Sequence, residues 1–558
     1  MPDDADFQAR TFDYVPHADQ RAETPARRPV AIVGAGPVGL SLAIDLAQRG
    51  IPVLVLDNDD RLSTGSRAIC FAKRTLEIFD RLGVGDRMVD KGVSWNVGKV
   101  FLRDEQVYRF DLLPDTGHER PAFVNLQQYY VEGYLAERAA QLPLVDLRWR
   151  NEVVATQPHD DRVTLTIATP DGEYPLDAEY VIACDGSRSA VRRHLGLESK
   201  GRTFRDRFLI ADVRMDVEAP AERWFWFDPA FHPNQSVLLH RQPDGVWRID
   251  FQLGWDADPE HEKKPENILP RVKALLAHSP AMKDAAFTLE WASVYTFACM
   301  RMDSFRHGRV LFAGDAAHGV SPFGARGANS GVQDADNLGW KLAAVIRGRA
   351  SDALLDSYAR EREAAADENI RHSTRATDFI TPKSAASRLF RDAVLALAKT
   401  QPFARTLVNS GRLSTPSTLR DSPLNTPDAD ADTFAGAMVP GAAAADARVT
   451  HADGRGDWLL RQLGDGFAAL VGHEPALERA LRGVEVDGFA LKVLAIGDDG
   501  LVDRDGDVAR RYDLQPGTVV LLRPDAHVCA RWRRPARAQV EAGMRRALAA
   551  TRETTPCH

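Results

Sequence analysis

A glycine turn between two apolar strands near the start constrains this chain more than any other feature. Residues 29–33 (PVAIV) have the pattern of a buried strand and lead into Gly34-Ala35-Gly36-Pro37-Val38-Gly39. LSLAIDLAQRG follows with apolar residues at helical spacing and a stop at Gly50; IPVLVLD (51–57) is a second apolar strand ending in an acid. A helix between two buried strands acts as a crossover, so the strands are expected to run parallel as a βαβ unit. Gly34 allows the tight turn, Gly36 lets a pyrophosphate approach the backbone, and Gly39 permits close strand–helix packing. The helix N-terminus, opening at Pro37, offers oriented N–H groups to the phosphate. Asp57 comes 18 residues after Gly39, where a carboxylate can accept hydrogen bonds from ribose hydroxyls. The unit predicts a bound adenine dinucleotide.

A second glycine turn lies about 280 residues further on. GRVLFAGDAAH (308–318) is a strand ending in Gly314-Asp315, followed by Pro322, Gly324, Gly327, Ala328, Asn329, Gly331 and Asp334 at the head of a long helical pattern. A simple NAD dehydrogenase has no need of this second polar terminus. A longer cofactor gripped at its far end does, and FAD is that cofactor.

Composition narrows the alternatives. Lys plus Arg at 71 against Asp plus Glu at 79 leaves a net charge of −8, which gives no general attraction to nucleic acid. The 5 cysteines are scattered, with no Cys-x-x-Cys, so neither a disulfide framework nor a metal site is expected. No apolar run reaches the ~18–20 residues that cross a bilayer, and the expectation is a soluble, cytoplasmic enzyme that touches no membrane.

The predicted organisation is α/β. Residues 1–28 read as a flexible N-terminal arm, 29–202 as the first part of a Rossmann-like dinucleotide domain, and 203–300 as an interleaved antiparallel sheet forming a substrate domain. Residues 301–410 return to the first domain and add helices, 411–435 read as a linker rich in Ser, Thr, Pro and Asp, and 436–558 as a separate α/β domain with strands near 467–472, 490–495 and 518–523.

Three segments together, AIVGAGPVGLSLAIDLAQRGIPVLVLD, CDGSRSAVRRHLG (184–196) and GRVLFAGDAAHGVSPFGARGANSGVQDADNLGWKLA (308–343), resemble the signatures of the single-component, p-hydroxybenzoate hydroxylase-type (class A) FAD aromatic monooxygenases. The nearest subgroup is the 3-(3-hydroxyphenyl)propionate and phenol hydroxylases, which carry a C-terminal thioredoxin-like domain; TVVLLRPDAHVCARW (518–532) is similar to that domain's last strands. The resemblance implies that NAD(P)H reduces FAD, that O2 adds at the flavin C4a, and that the hydroperoxide hydroxylates an electron-rich ring. It leaves NADH against NADPH open, and a homodimer open. It implies that Gly34, Gly36 and Gly39 hold the pyrophosphate and Asp57 the adenosine ribose, that Arg67 contacts phosphate or ribose, and that Gln128 reaches the ribityl side. Val153 would lie near adenine, Asp185-Gly186 would serve both FAD and the pyridine nucleotide, Asp315 would bind the ribityl chain, and Pro322 through Asn329 would line the isoalloxazine. One departure is Arg326 in Gly324-Ala325-Arg326-Gly327, a cation that either stabilises reduced flavin or points to solvent.

Such chemistry asks the protein for a dry apolar pocket and a group to receive a phenol proton. WFWF (224–227), LLHRQ (238–242) and WRIDF (247–251) offer aromatic walls, with His240, Arg241 and Arg248 as polar candidates and Pro322 beside the ring. His318 after the Gly-Asp-Ala-Ala turn, and Tyr129 and Tyr130, read as structural. Trp224-x-Trp226-x-x-Pro229 resembles a flavin halogenase pattern, but Asp228 stands where that pattern has Ile. Gly464-Asp465-Gly466 reads as a turn, and with no Cys-x-x-Cys and Cys529 alone on its strand no dithiol role is expected in the C-terminal domain. Epoxidation or Baeyer–Villiger oxidation of a polycyclic substrate, and a non-catalytic FAD-binding role, remain open alternatives.

Overall fold

The structure is a computed structural model and describes residues 7–65, 67–279, 281–408, 413–497 and 500–549. The predicted βαβ unit forms its centre. Strand Ala26–Val33 pairs in parallel with Val53–Leu56 on one side and with Gly172–Ala183 on the other; Val145–Arg148 and Val310–Phe312 extend the sheet in parallel. Val30–Val33 and Val53–Leu56 are buried throughout, as a sheet covered on both faces requires. Helix Pro37–Gln48 packs against this sheet and against the long helix Gly327–Ile346.

A second sheet of eight strands stands beside the first, ordered 318–319, 287–302, 199–215, 246–253, 236–241, 223–227, 97–102, 105–111. The strands at 97–102 and 105–111 belong to this sheet, through parallel pairing of 97–102 with 223–227, and not to the dinucleotide lobe that contains them in sequence. Strict alternation sorts its residues. Leu209, Trp226, Leu239, Trp247, Ile249 and Phe251 turn outward beneath helix Pro265–His278. Phe208, Phe225, Phe227 and Phe297 turn the other way, toward Phe323 and helix Leu354–Ile380.

The C-terminal unit is ordered 485–486, 489–496, 467–472, 519–522, 528–532, with 467–472 parallel to 489–496 and antiparallel to 519–522. A βαβ followed by an antiparallel pair and a closing helix, Arg537–Ala547, is the thioredoxin-like topology. Cys529 is fully buried in its strand; burial pushes its thiol up to about 12, so the domain holds an inert thiol. Cys557 lies outside the described residues.

Two segments expected to be free are docked. In the N-terminal arm, Phe7 is buried against Tyr130, Tyr134 and Gly133, and Phe12 stacks on Trp149 at 4.2 Å. The segment 413–435 is an ordered strap rather than a linker: Leu413, Leu419 and Leu424 are buried, and the Thr426 amide donates to the Cys529 carbonyl. A few apolar anchors in polar sequence outweigh the composition. Among the described residues no helix is long and apolar enough to cross a membrane, and no group of His, Cys, Asp or Glu side chains is arranged to hold a metal.

A buried charge cluster joins the C-terminal unit to the rest. Glu361 accepts from Arg523 Nη1 at 2.6 Å and from Lys341 Nζ at 2.7 Å, Arg523 also bonds Asp525 at 2.6 Å, and all four side chains are essentially inaccessible. The two cations hold the Glu361 carboxyl well below the usual carboxylate range against the opposing effect of burial. Glu361→Gln leaves Lys341 without a carboxylate partner in a dry interface, where breaking such a pair costs about 3–5 kcal/mol. Denaturant unfolding is expected to show a loss of that size; a loss below about 1 kcal/mol would mean that water reaches the cluster.

Candidate active site

The two glycine turns meet. A Cβ on Gly39 would stand 2.0 Å from the Gly34 carbonyl oxygen, and one on Gly34, whose φ is +107°, would stand 2.5 Å from the Cys184 carbonyl oxygen. Val38, in the first turn of helix Pro37–Gln48, fills the gap to the second turn: its Cγ2 lies 2.9 Å from an ideal Cβ on Gly314 and 2.6 Å from one on Gly331. Three segments from distant parts of the chain therefore converge at one helix N-terminus. Gly36 caps that helix and has nothing within 4 Å of its missing Cβ, so the backbone there faces open space.

The carboxylates around that space are poised for a ligand. Asp57 Oδ2 accepts from the Ala35 amide at 2.5 Å and Oδ1 from the Asp59 amide at 2.8 Å, which fixes the turn and leaves further lone pairs. Burial, the largest influence, pushes its carboxyl up. Asp185 Oδ2 accepts from the Val191 amide at 3.1 Å, while its Oδ1 is buried without a partner, next to Gly186 at φ +76°. Asp315 is accessible yet ringed by protein; burial again raises it, the Arg67 charge counters this, and no hydrogen bond from a described residue reaches its oxygens. A group with an accessible face deep inside a protein lines a cleft. An open backbone approach at a helix N-terminus, an orphaned acceptor at Asp185 and an unpartnered Asp315 beyond it fit a pyrophosphate flanked by polyol chains.

The remaining expected contacts divide. Arg67 is exposed and its charge bears on both Asp315 and Tyr295, so it stands at the cleft. Gln128 is tied locally: its Oε1 accepts from the Ala68 amide at 3.1 Å and its Nε2 donates to Glu132 at 2.8 Å, an arrangement that braces the loop bearing Arg67. Val153 is 3% exposed, with its side chain in the hydrophobic core. Asn329 is spent on structure, its Oδ1 accepting from the Ala72 amide at 2.8 Å and its Nδ2 donating to the Cys70 and Ala325 carbonyls. That bonding pins strand Cys70–Ala72 against the turn. Pro322 is exposed, Gly324 buried, and Gly327 and Ala328 half-buried at the helix start. Arg326 does not point to solvent: it is 3% exposed and folds back so closely that its guanidinium occupies the room of a Gly324 side chain. His318 is structural, its Nε2 2.7 Å from Asp334 Oδ2, which also accepts from the Gly314 amide.

Beyond the second glycine turn lies the inner face of the eight-stranded sheet. Phe323, in the turn, packs 4.7 Å from Phe208 and 5.4 Å from Phe297, and the Phe323 carbonyl accepts from Arg223 Nη2 at 3.3 Å. His240 faces this chamber; burial and the neighbouring Arg223 and Arg248 hold it well below the ordinary imidazole value, so it is neutral. Arg248 is clamped by Asp212 through bonds of 2.8 and 2.7 Å and reaches the Arg67 carbonyl at 3.3 Å. Arg241, one residue after His240, turns to the opposite face, donates to the Ala219 carbonyl at 2.9 Å and sits over Trp247. It is not in the chamber, and neither are Trp224 and Trp226. Arg223, Asp250 and Tyr295 are in it and were not singled out by sequence; Asp250 lay within a flagged strand, but its face depends on register.

The family described as "FAD binding domain" matches residues 27–373, more than half of the chain. The chain belongs to this family. It is 32% identical over 536 residues to a 6-methylpretetramide 4-monooxygenase of Streptomyces rimosus, covering 90% of this chain and 91% of that one. It is 31% identical over 393 residues to a 3-(3-hydroxy-phenyl)propionate/3-hydroxycinnamic acid hydroxylase of Mycolicibacterium smegmatis, covering 69% and 67%. Among solved structures, aklavinone-11 hydroxylase with FAD and aklavinone matches with TM-score 0.73 at 25% identity over 94% of this chain and 100% of that one. The flavin-dependent monooxygenase PieE, with FAD and substrate, has the same fold with TM-score 0.78 at 23% identity over 95% and 100%. The chain is thus an FAD-dependent monooxygenase that hydroxylates aromatic compounds, and the cofactor expected from the two turns is FAD.

Asp315→Ala removes an accessible carboxylate from the cleft without touching the core. Hydrogen bonds to charged groups contribute about 1.5–3 kcal/mol, so FAD affinity is expected to fall roughly 10–150-fold with apoprotein unfolding unchanged. Titration of apoprotein with FAD, followed by flavin fluorescence, checks this; full retention would remove Asp315 from the site.

Proposed function

We propose that this enzyme uses NAD(P)H and O2 to hydroxylate a phenolic ring held against the inner face of the eight-stranded sheet. The observation that carries the reading is the junction at Phe323: the turn that is to line the isoalloxazine is bonded through its carbonyl to Arg223 and packed through its ring on Phe208 and Phe297. Bound FAD supplies the electron transfer and oxygen activation. The protein's own contribution is position, dryness and charge.

Gly36 would hold the cofactor's diphosphate at the helix N-terminus, Asp57, Asp185 and Asp315 would accept hydrogen bonds from its hydroxyl groups, and Pro322–Ala328 would line its ring. Phe208, Phe225 and Phe297 exclude water from the far side, which protects an oxygen-transfer step from hydrolytic waste. Arg326, buried beneath the turn, places a fixed positive charge where reduction of the ring adds negative charge. Arg223 and Arg248 bring two guanidinium groups to the chamber, set against the carboxyl groups of Asp212 and Asp250, a polar lining suited to a phenolic hydroxyl. Two relatives are named for 6-methylpretetramide and for 3-(3-hydroxy-phenyl)propionate/3-hydroxycinnamic acid, which supports an aromatic substrate here.

The purified protein is expected to be yellow and to oxidise NAD(P)H slowly when alone. Phenol, 3-(3-hydroxyphenyl)propionate and a hydroxylated anthraquinone are the test panel, scored for NAD(P)H consumption, hydrogen peroxide and product. At least one is expected to accelerate NAD(P)H oxidation and to gain one oxygen atom. Acceleration by none of them, with FAD bound, would contradict the reading.

A further inference from the structure

Asp250 is an ionisable group of the chamber to which no described residue donates a hydrogen bond. Asp250 lies in strand Val246–Leu253, opposite Leu238 on one neighbouring strand and Ile210 on the other. Its alternation sets it on the face of Arg248, away from Trp247, Ile249 and Phe251, which pack under the outer helix. Its Oδ1 is buried without a hydrogen bond, and no described residue donates to its other oxygen.

The groups facing it are accounted for. Arg248 spends Nε and Nη2 on Asp212 and Nη1 on the Arg67 carbonyl. Arg223, from strand Arg223–Phe227, donates to the Phe323 carbonyl. Cys70, from strand Cys70–Ala72, donates its thiol proton to Asn125 Oδ1 at 3.1 Å and is pushed up to about 12 by burial, so it is neutral. His240 has its Nδ1 4.0 Å from the Cys70 sulfur and no hydrogen bond from a described residue at Nε2. A carboxylate enclosed beside two arginines, neither of which hydrogen-bonds to it, is costly unless a ligand supplies the donor.

We infer that Asp250 is the residue that receives the phenolic proton of the substrate. The inference rests on the proposed phenol hydroxylation and names the base that reaction needs. The substrate O–H points at Asp250; that bond breaks, its electron pair stays on the phenol oxygen, and the proton passes to the carboxylate. The oxygen atom inserted at the ring comes from the proposed reaction itself. The ring carbon then sheds its C–H proton to solvent as aromaticity returns, and the proton on Asp250 goes back to the phenol oxygen, so charge and atoms balance. Arg223 and Arg248 stabilise the intervening phenolate. His240, held neutral and of low basicity, is suited to orient the hydroxyl rather than to take its proton. Burial lifts the Asp250 carboxyl to about 6, close to the pH at which it would work, which makes it a better base than an exposed aspartate.

The test uses FAD-loaded wild type, Asp250→Asn and Asp250→Glu with whichever panel phenol accelerates NAD(P)H oxidation by the wild type. Asp250→Asn keeps the shape and removes the basicity. Product formed per NAD(P)H is expected to fall about 100-fold, with hydrogen peroxide in its place, and Asp250→Glu to recover part of it. Wild-type hydroxylation is expected to rise as pH increases through about 6, because only the ionised carboxylate accepts the proton; Asp250→Asn loses that rise. Flavin content and thermal unfolding report whether the variant has folded. A folded, FAD-loaded Asp250→Asn with wild-type product yield and pH profile would overturn the assignment while leaving phenol hydroxylation intact. If no phenol stimulates the wild type, both readings fall together.

Discussion

Close contact around one valine holds the dinucleotide lobe to its function. Val38 stands where Gly314 and Gly331 have no side chains, and Gly39 meets the Gly34 carbonyl at a distance no Cβ allows. Below this point Gly339 lets the long helix approach Asp45 of the first helix just as tightly. Protein interiors are too dense to absorb an added methyl group at such contacts. The glycines therefore dictate how near two turns, separated by hundreds of residues in sequence, can come. A dinucleotide with its diphosphate at the centre and a flat ring at one end can span both. The substrate sheet inherits its position from the same constraint, because Phe323 and Arg223 fasten it to the second turn.

Buried charge is used in two opposite ways. At the junction with the C-terminal unit, Glu361, Arg523, Lys341, Asp525 and Asn337 satisfy one another without help from a ligand. Satisfied networks of this kind specify one docking geometry and do no chemistry. In the cleft and chamber, Asp185, Asp315 and Asp250 keep oxygens with no donor among the described residues. Those are the places where, on the proposed function, a cofactor or substrate would complete the bonding. The inert, fully buried Cys529 fits the same division: it packs the thioredoxin-like unit.

The dinucleotide motif and the second turn could be read from sequence because their glycines are demanded by backbone geometry, which leaves a mark at each position. The strands of the C-terminal unit were equally readable, since 467–472 and 519–522 are uninterrupted apolar runs. The chamber was not. Whether His240 or Arg241 faces inward depends on pairing register, and a one-residue slip exchanges the faces. The same holds for Asp250, whose lack of a partner emerges only when five strands are assembled around it. The N-terminal arm and the strap at 413–435 misled for a different reason. Their anchors, Phe7, Phe12, Leu419 and Leu424, are too sparse to show periodicity, yet each finds a buried slot. The strands at 97–111 joined the other sheet through pairing with residues more than a hundred positions away, which no local pattern records.

Amide hydrogen exchange with and without one equivalent of FAD tests the joint grip most directly. Segments 34–40 and 314–329 are expected to gain protection together, at the same FAD concentration, while the C-terminal strands stay unchanged. Protection confined to the first segment, with the second exchanging as in the apoprotein, would show that the two turns do not share a ligand.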